Sequence, residues 1–165
     1  MKRWARMRNG FTLIELVIVI AITALLATIA ALSLGGVMDR YRLGRAAETV
    51  EMFDARARRE ARVTGEAVAA TIDRAKGRFK VDAVGTDHDR QYRLPGRVAI
   101  TDMRLHRSFA AGSALSIKFD RDGHGPTYAI ELTRGNMKRW LVMLGASGQV
   151  VSLDSEGEVD ELFSL

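Results

Sequence analysis

The chain has 165 residues, with 25 Lys and Arg against 20 Asp and Glu, three histidines and no cysteine. That length holds one domain plus an appendage, and the absence of cysteine excludes disulfide frameworks, thiolate metal sites and cysteine nucleophiles. The formal charge of +5 invites a nucleic-acid reading, but Lys2, Arg3, Arg6 and Arg8 supply four of the positives; without residues 1–10 the balance is 21 basic to 20 acidic side chains, so pI alone argues for no such partner.

Residues 11–34, FTLIELVIVIAITALLATIAALSL, carry a single charge, Glu15. As a helix this stretch is about 36 Å long at roughly 1.5 Å per residue, enough to cross a hydrocarbon core of about 30 Å. Positive residues stand just before it and none within it, which predicts a cytoplasmic N-terminus and an exported remainder. A secretory signal peptide has a shorter apolar region and a small-residue cleavage site, of which Thr28-Ile29-Ala30 is a poor version. A plain signal anchor accounts for the span but not for Glu15, since an ionised carboxylate deep in the apolar layer costs about 2.5–3.5 kcal/mol.

The string Arg8-Asn9-Gly10-Phe11-Thr12-Leu13-Ile14-Glu15 resembles the class III signal of type IV pilins and type II secretion pseudopilins. The resemblance implies that a membrane-bound prepilin peptidase cuts after Gly10 and methylates Phe11, the new N-terminus, and that Glu15 is the fifth-position glutamate used in assembly. Such cleavage creates a cationic amine on Phe11, four residues from Glu15 and on the same helical face. The resemblance further implies that in the filament the glutamate meets the amine of a neighbouring subunit, a buried charge pair that sets axial register.

After Gly35-Gly36, apolar residues recur at Leu43, Ala46 or Ala47, Val50, Phe53, Ala57 and Ala61 with Arg, Asp and Glu between them. This three-four spacing predicts an amphipathic continuation of the same helix, from about Thr12 to Arg62, with the glycine pair and Gly44 as points where it bends or loosens. The charges of Arg56 to Arg62, diluted by Glu48, Glu51, Asp54 and Glu60, read as a solvated face rather than a nucleic-acid helix.

Period-two alternation then marks strands. Val68, Ala70 and Ile72 and, after a turn at Lys76-Gly77, Phe79, Val81 and Ala83 predict a first hairpin. Further strands are expected around Val98 and Ile100; Leu115, Ile117 and Phe119; Tyr128, Ile130 and Leu132; Trp140, Val142 and Leu144; and Val150 to Leu153. The expected fold is α+β: a long N-terminal helix, transmembrane in its first half and amphipathic in its second, packed on an antiparallel β-sheet head. Four segments follow: a leader at 1–10, a transmembrane or filament-core helix at 11–34, its amphipathic continuation at 35–64 and a periplasmic head at 65–165. The stretch from Ile117 to Gly125, with Tyr128 to Ile130, Arg139 to Met143 and Gly145 to Val150, resembles the H-type minor pseudopilin and FimT-like pattern of strands and acidic-glycine turns.

Other candidate sites have simpler readings. Asp120, Asp122 and Gly123 suggest a calcium loop, but the remaining ligand pattern is missing and a hairpin turn is favoured. His88, His106 and His124 lack metal-ligand spacing and read as surface or turn residues. Trp140, Phe119 and Tyr128 read as packing residues rather than a base-stacking platform. The tail with Asp154, Glu156, Glu158, Asp160 and Glu161 reads as a solvated or partner-facing end. No nucleophile or acid-base constellation appears, and no cofactor is implied.

The resemblance therefore implies a structural minor pseudopilin of a type II secretion pseudopilus in the inner membrane, its partners being the prepilin peptidase and other pilins or pseudopilins. The missing cysteine and the absence of proline from the apolar helix, the prolines being Pro95 and Pro126, depart from many major pilins. The alternative is a minor type IV pilin of a competence or twitching machine whose head captures DNA through Arg90, Arg93, Arg97, Arg104 and Arg107.

Overall fold

The structure, a computed structural model, describes residues 11–82, 90–106, 108–109 and 112–164, the side chains of 31–34, 90 and 108–109 excepted. Ala83, the last predicted residue of the first hairpin, lies outside them. The chain divides into two units, Met1–Met38 and Asp39–Leu165.

The helix α1 runs from Leu13 to Thr64. Thr12 caps it: its carbonyl accepts the Leu16 N–H at 3.2 Å and its hydroxyl oxygen accepts the Glu15 N–H at 3.3 Å. Gly35, Gly36 and Gly44 are expected to loosen the helix, yet all three lie inside it as helical residues. It stops at Gly65, whose φ of +67° takes the left-handed conformation that glycine adopts without steric penalty. The Gly65 N–H then satisfies the Ala61 carbonyl at 2.9 Å.

In the second unit, the buried face of α1 is Leu43, Ala46, Ala47, Val50, Phe53, Ala57 and Ala61, the set that the sequence spacing predicts. Two antiparallel sheets cover it. The first has β1 (Val68–Asp73), β2 (Arg78–Asp82), β3 (Arg90–Arg93) and β6 (Ala114–Phe119) in the order β3-β2-β1-β6. The second has β4 (Ala99–Leu105), β5 (Ser108–Phe109), β7 (Tyr128–Arg134), β8 (Met137–Met143) and β9 (Val150–Leu153) in the order β5-β4-β7-β8-β9. The hairpin β1–β2 is present as predicted, with Ile72 opposite Phe79. Inward residues of both sheets share one core with α1, in which Phe53 meets the rings of Phe79 at 5.1 Å and Tyr92 at 6.4 Å.

Two expectations need correction. The turn at Asp120 to Gly123 does not close a hairpin, because β6 and β7 belong to different sheets. The acidic tail is not simply solvated: Glu156–Ser164 forms a second helix, α2. Ser155 and Glu158 cap it reciprocally, the Glu158 N–H donating to Ser155 Oγ at 3.3 Å and the Ser155 N–H to Glu158 Oε2 at 3.2 Å. Val159, Leu162 and Phe163 of α2 then pack on Ala129, Trp140 and Val142, the outward face of β7 and β8, which buries these strands on both sides. Arg104 ties the helix down through Asp160 at 2.7 Å and Glu156, and its guanidinium lies 5.0 Å from the Trp140 ring centre.

The capping box gives a direct test. Ser155→Ala should lower stability by about 1 kcal/mol, measured by thermal unfolding of the detergent-solubilised chain; an unchanged midpoint would mean that the cap adds nothing.

Candidate functional site

Of the residues that the sequence singles out, Gly10 lies outside the described residues, whereas Phe11 and Glu15 are described. Phe11 precedes the helix and is 79% exposed. Glu15 sits in the first turn of α1, where a carboxylate offsets the partial positive charge of the helix N-terminus. The spacing Thr12-x-x-Glu15 is also that of a capping box, so local helix chemistry already favours glutamate there.

Around Glu15 the helix is apolar on every side. Leu13, Ile14, Leu16, Val17, Ile18, Val19, Ile20, Ile22, Leu25, Leu26 and Ile29 all point away from any cover in the chain. A helix that is apolar all round needs lipid or other helices about it, and α1 is long and apolar enough to cross a membrane. Its polar side chains are reconciled with such surroundings locally: Thr23 Oγ1 donates to the Val19 carbonyl at 2.7 Å and Thr28 Oγ1 to the Ala24 carbonyl at 2.9 Å.

The head holds a polar cluster that the sequence reading missed. Arg58 and Asp54, expected on a solvated helix face, are buried. Arg58 Nε donates to Asp54 Oδ2 at 2.6 Å, and Arg58 Nη1 donates to the carbonyls of Gly123 at 3.0 Å and Gly145 at 2.7 Å. The guanidinium also lies over the Phe119 ring, 5.1 Å from its centre. The Tyr128 hydroxyl donates to Asp54 Oδ1 at 2.9 Å, so the carboxylate is satisfied on both oxygens. The loops are drawn together closely: the Gly125 N–H donates to the Gly145 carbonyl at 3.1 Å, and a Cβ on Gly145 would collide with the Gly125 carbonyl. One charge pair thus clamps α1 to the β6–β7 and β8–β9 connections.

The other candidates resolve as follows. Asp120, Asp122 and His124 bring their ligand atoms within 4.8 Å of one another, so His124 joins the two acids. The Asp120 Oδ1 is already occupied by the N–H groups of His124 at 2.8 Å and Asp122 at 3.0 Å. The His124 amide, foremost, holds the Asp120 carboxyl below its usual range. His106 stacks edge-on against Phe163 at 5.5 Å, and His88 lies outside the described residues. Phe119, Tyr128 and Trp140 are buried, as packing residues. Of the five arginines offered for DNA, Arg104 is committed to Asp102, Glu156 and Asp160. Arg93 and Arg97 are exposed, whereas Arg107 and the side chain of Arg90 lie outside the described residues.

Breaking the clamp separates two kinds of loss. Asp54→Ala strands a buried guanidinium and should cost about 3–5 kcal/mol, whereas Tyr128→Phe removes one hydrogen bond and should cost about 1–2 kcal/mol, both read by denaturant unfolding. Burial first, and the Asp54 charge second, push the Tyr128 hydroxyl well above its ordinary value. The folded state therefore holds this proton more tightly than the unfolded state does. The contribution is complete below about pH 10 and is lost as pH rises from there toward the folded-state value. The stability advantage of the natural chain over Tyr128→Phe should shrink above about pH 10; a constant difference would place the hydroxyl outside the clamp.

Comparison with known proteins gives four findings. Residues 5–31 match the family described as the prokaryotic N-terminal methylation motif. The fold is similar to that of the type IV minor pilin FimU of Pseudomonas aeruginosa strain PAO1, with a TM-score of 0.51 and 16% identity over 68% of this chain and 88% of that chain. The minor pseudopilin EpsH from the Type 2 Secretion System of Vibrio cholerae aligns with a TM-score of 0.48 and 12% identity over 67% of this chain and 97% of that chain. No curated protein sequence matches the chain. At this identity the FimU likeness establishes a pilin-like α+β fold, and the motif match covers the segment that contains Gly10, Phe11 and Glu15.

Proposed function

We propose that the chain is a minor pseudopilin of a type II secretion pseudopilus, a structural subunit that works by helix packing and head contacts and catalyses nothing. The carrying observation is the helix that is apolar all round with one carboxylate, Glu15, in its first turn, within a matched N-terminal methylation motif. A prepilin peptidase removes residues 1–10 after Gly10 and methylates Phe11. Residues 11–34 then lie in the inner membrane and later in the filament core, 35–64 continue the helix, and 65–165 form the head on the periplasmic side. The Glu15 carboxylate is tolerated because it meets the ammonium group that cleavage creates on the Phe11 of a neighbouring subunit, which offsets the roughly 2.5–3.5 kcal/mol of an unpaired charge.

A second reading, a minor subunit of a type IV pilus, is favoured by the likeness to FimU. In that reading the head serves a competence or twitching machine and captures DNA. Electrophoretic shifts of the full chain with duplex DNA at moderate salt separate the two, since a pseudopilin retards none.

N-terminal sequencing and intact mass of the membrane-extracted chain test the processing: the mature protein should begin at N-methylated Phe11. Glu15→Leu should leave cleavage and insertion intact while sharply reducing incorporation into filaments. Normal incorporation of that variant would remove Glu15 from the assembly mechanism.

A further inference from the structure

We propose that a cleft in the second unit, between α1 and the head, lined by Arg42, Gly96 and Arg97 and enclosing about 480 Å³, binds the phosphate of an anionic phospholipid headgroup. Arg97 is the first reason. Its φ of +67° makes it the one non-glycine residue with positive φ among the described residues. It occupies the third position of the turn Pro95 to Val98, which the Val98 N–H closes on the Pro95 carbonyl at 3.3 Å. A left-handed backbone there favours glycine, and an arginine side chain makes it costly. Glycine stands one residue earlier, at Gly96, so the turn is not built around the residue that suits it. A strained residue held at an exposed turn points to a use for its side chain.

Charge is the second reason. Among the described residues no carboxylate pairs with Arg97. The carboxylate nearest Arg42 is Asp39, whose Oδ1 lies 3.8 Å from Arg42 Nη1 but accepts Arg134 Nε at 2.7 Å. Arg134 also reaches the Gly96 carbonyl at 3.4 Å. Arg134 therefore steadies the turn and shares Asp39 with Arg42, so one carboxylate serves two guanidiniums and the cleft that Arg42 and Arg97 line keeps an excess of positive charge. An adjoining cleft of about 270 Å³, which shares Gly96 and Arg97, adds Arg74, Lys76 and Arg93, and Asp73 at 3.4 Å from Lys76 is the acid beside it. Arginines around a concave surface suit a phosphate, whose oxygens match the planar guanidinium fork.

Chain distance selects the source of that phosphate. Arg42 follows Leu34, the end of the apolar run, by eight residues, with the exposed Arg40 between them. Basic side chains this close in sequence to a membrane anchor are drawn to the headgroups of whichever leaflet they face, where that leaflet carries anionic lipid. The inference rests on reading residues 11–34 as that anchor. It adds a function for the head, holding the unassembled subunit against the bilayer until a neighbouring head replaces the lipid.

The test uses the full chain in neutral detergent and native mass spectrometry with short-chain phosphatidylglycerol, short-chain phosphatidylcholine, inorganic phosphate and a short DNA duplex. Phosphatidylglycerol should be retained in preference to phosphatidylcholine. Arg97→Gly gives the turn the residue that its backbone favours, so it should keep or raise the melting temperature while lowering phosphatidylglycerol retention about tenfold or more, the size of one charge-assisted hydrogen bond. Arg42→Gln should lower retention likewise. Equal retention of the two lipids, unchanged retention by Arg97→Gly, inorganic phosphate bound as tightly as the lipid, or displacement of lipid by an equal concentration of duplex would each overturn the proposal. Failure of the anchor reading shows separately, as release of the chain from membranes by alkaline carbonate without detergent.

Discussion

An apolar helix without a cover is the constraint on which this molecule turns. From Leu13 to Ile29 the side chains of α1 face outward on all sides, and water is a poor solvent for such a surface. Lipid or neighbouring helices satisfy it equally well, because both present hydrocarbon. A subunit that starts in a bilayer and ends in a helical filament core exchanges one apolar environment for the other at little cost. In the proposed assembly, the single carboxylate in the first turn, Glu15, gives this exchange its direction.

The head solves a different problem, that of attaching two sheets and several long connections to one helix face. Alanines at 46, 47, 57 and 61 are buried on the face of α1 that the sheets cover. At the far end of the helix, however, the Arg58 and Asp54 pair replaces apolar contact with directed bonds to Gly123, Gly145 and Tyr128. A buried ion pair is rarely favourable on energy alone, but it defines where the loops lie in a way that apolar packing does not. On the opposite face of the second sheet, α2 supplies a small second core, with Arg104 joining Asp102 of β4 to Glu156 and Asp160 of α2.

Much of this was readable from residue order, and the exceptions have three separate causes. The buried stripe of α1 followed from its three-four spacing, and β1 and β2 followed from strict alternation ending at Lys76-Gly77. Arg58 and Asp54 were assigned to solvent because charges at regular helical spacing normally are. Their partners are carbonyls 65 and 87 residues away in sequence, a contact that no local pattern announces. The α2 helix is different, for its signals were present: the Ser155-x-x-Glu158 box and Val159, Leu162 and Phe163 at helical spacing. Five carboxylates in the same stretch obscured them. The division of the head into two sheets was hidden for a third reason, since the Asp120 to Gly123 turn has the composition of a hairpin loop but joins strands of separate sheets. For the candidate site, the roles proposed for Gly10, Phe11 and Glu15 come from the sequence motif, and the fold adds the capping role of Thr12.

The partner of Glu15 decides whether assembly works in this way. A membrane-soluble carbodiimide activates carboxylates within the apolar layer and joins them to an adjacent amine, so treating native membranes that contain assembled subunits and mapping the cross-links by mass spectrometry reads that partner directly. The account predicts a peptide joining Glu15 of one subunit to the N-terminal Phe11 amine of another. Glu15 recovered only as an uncross-linked carbodiimide adduct, from membranes in which other subunit cross-links form, would contradict it.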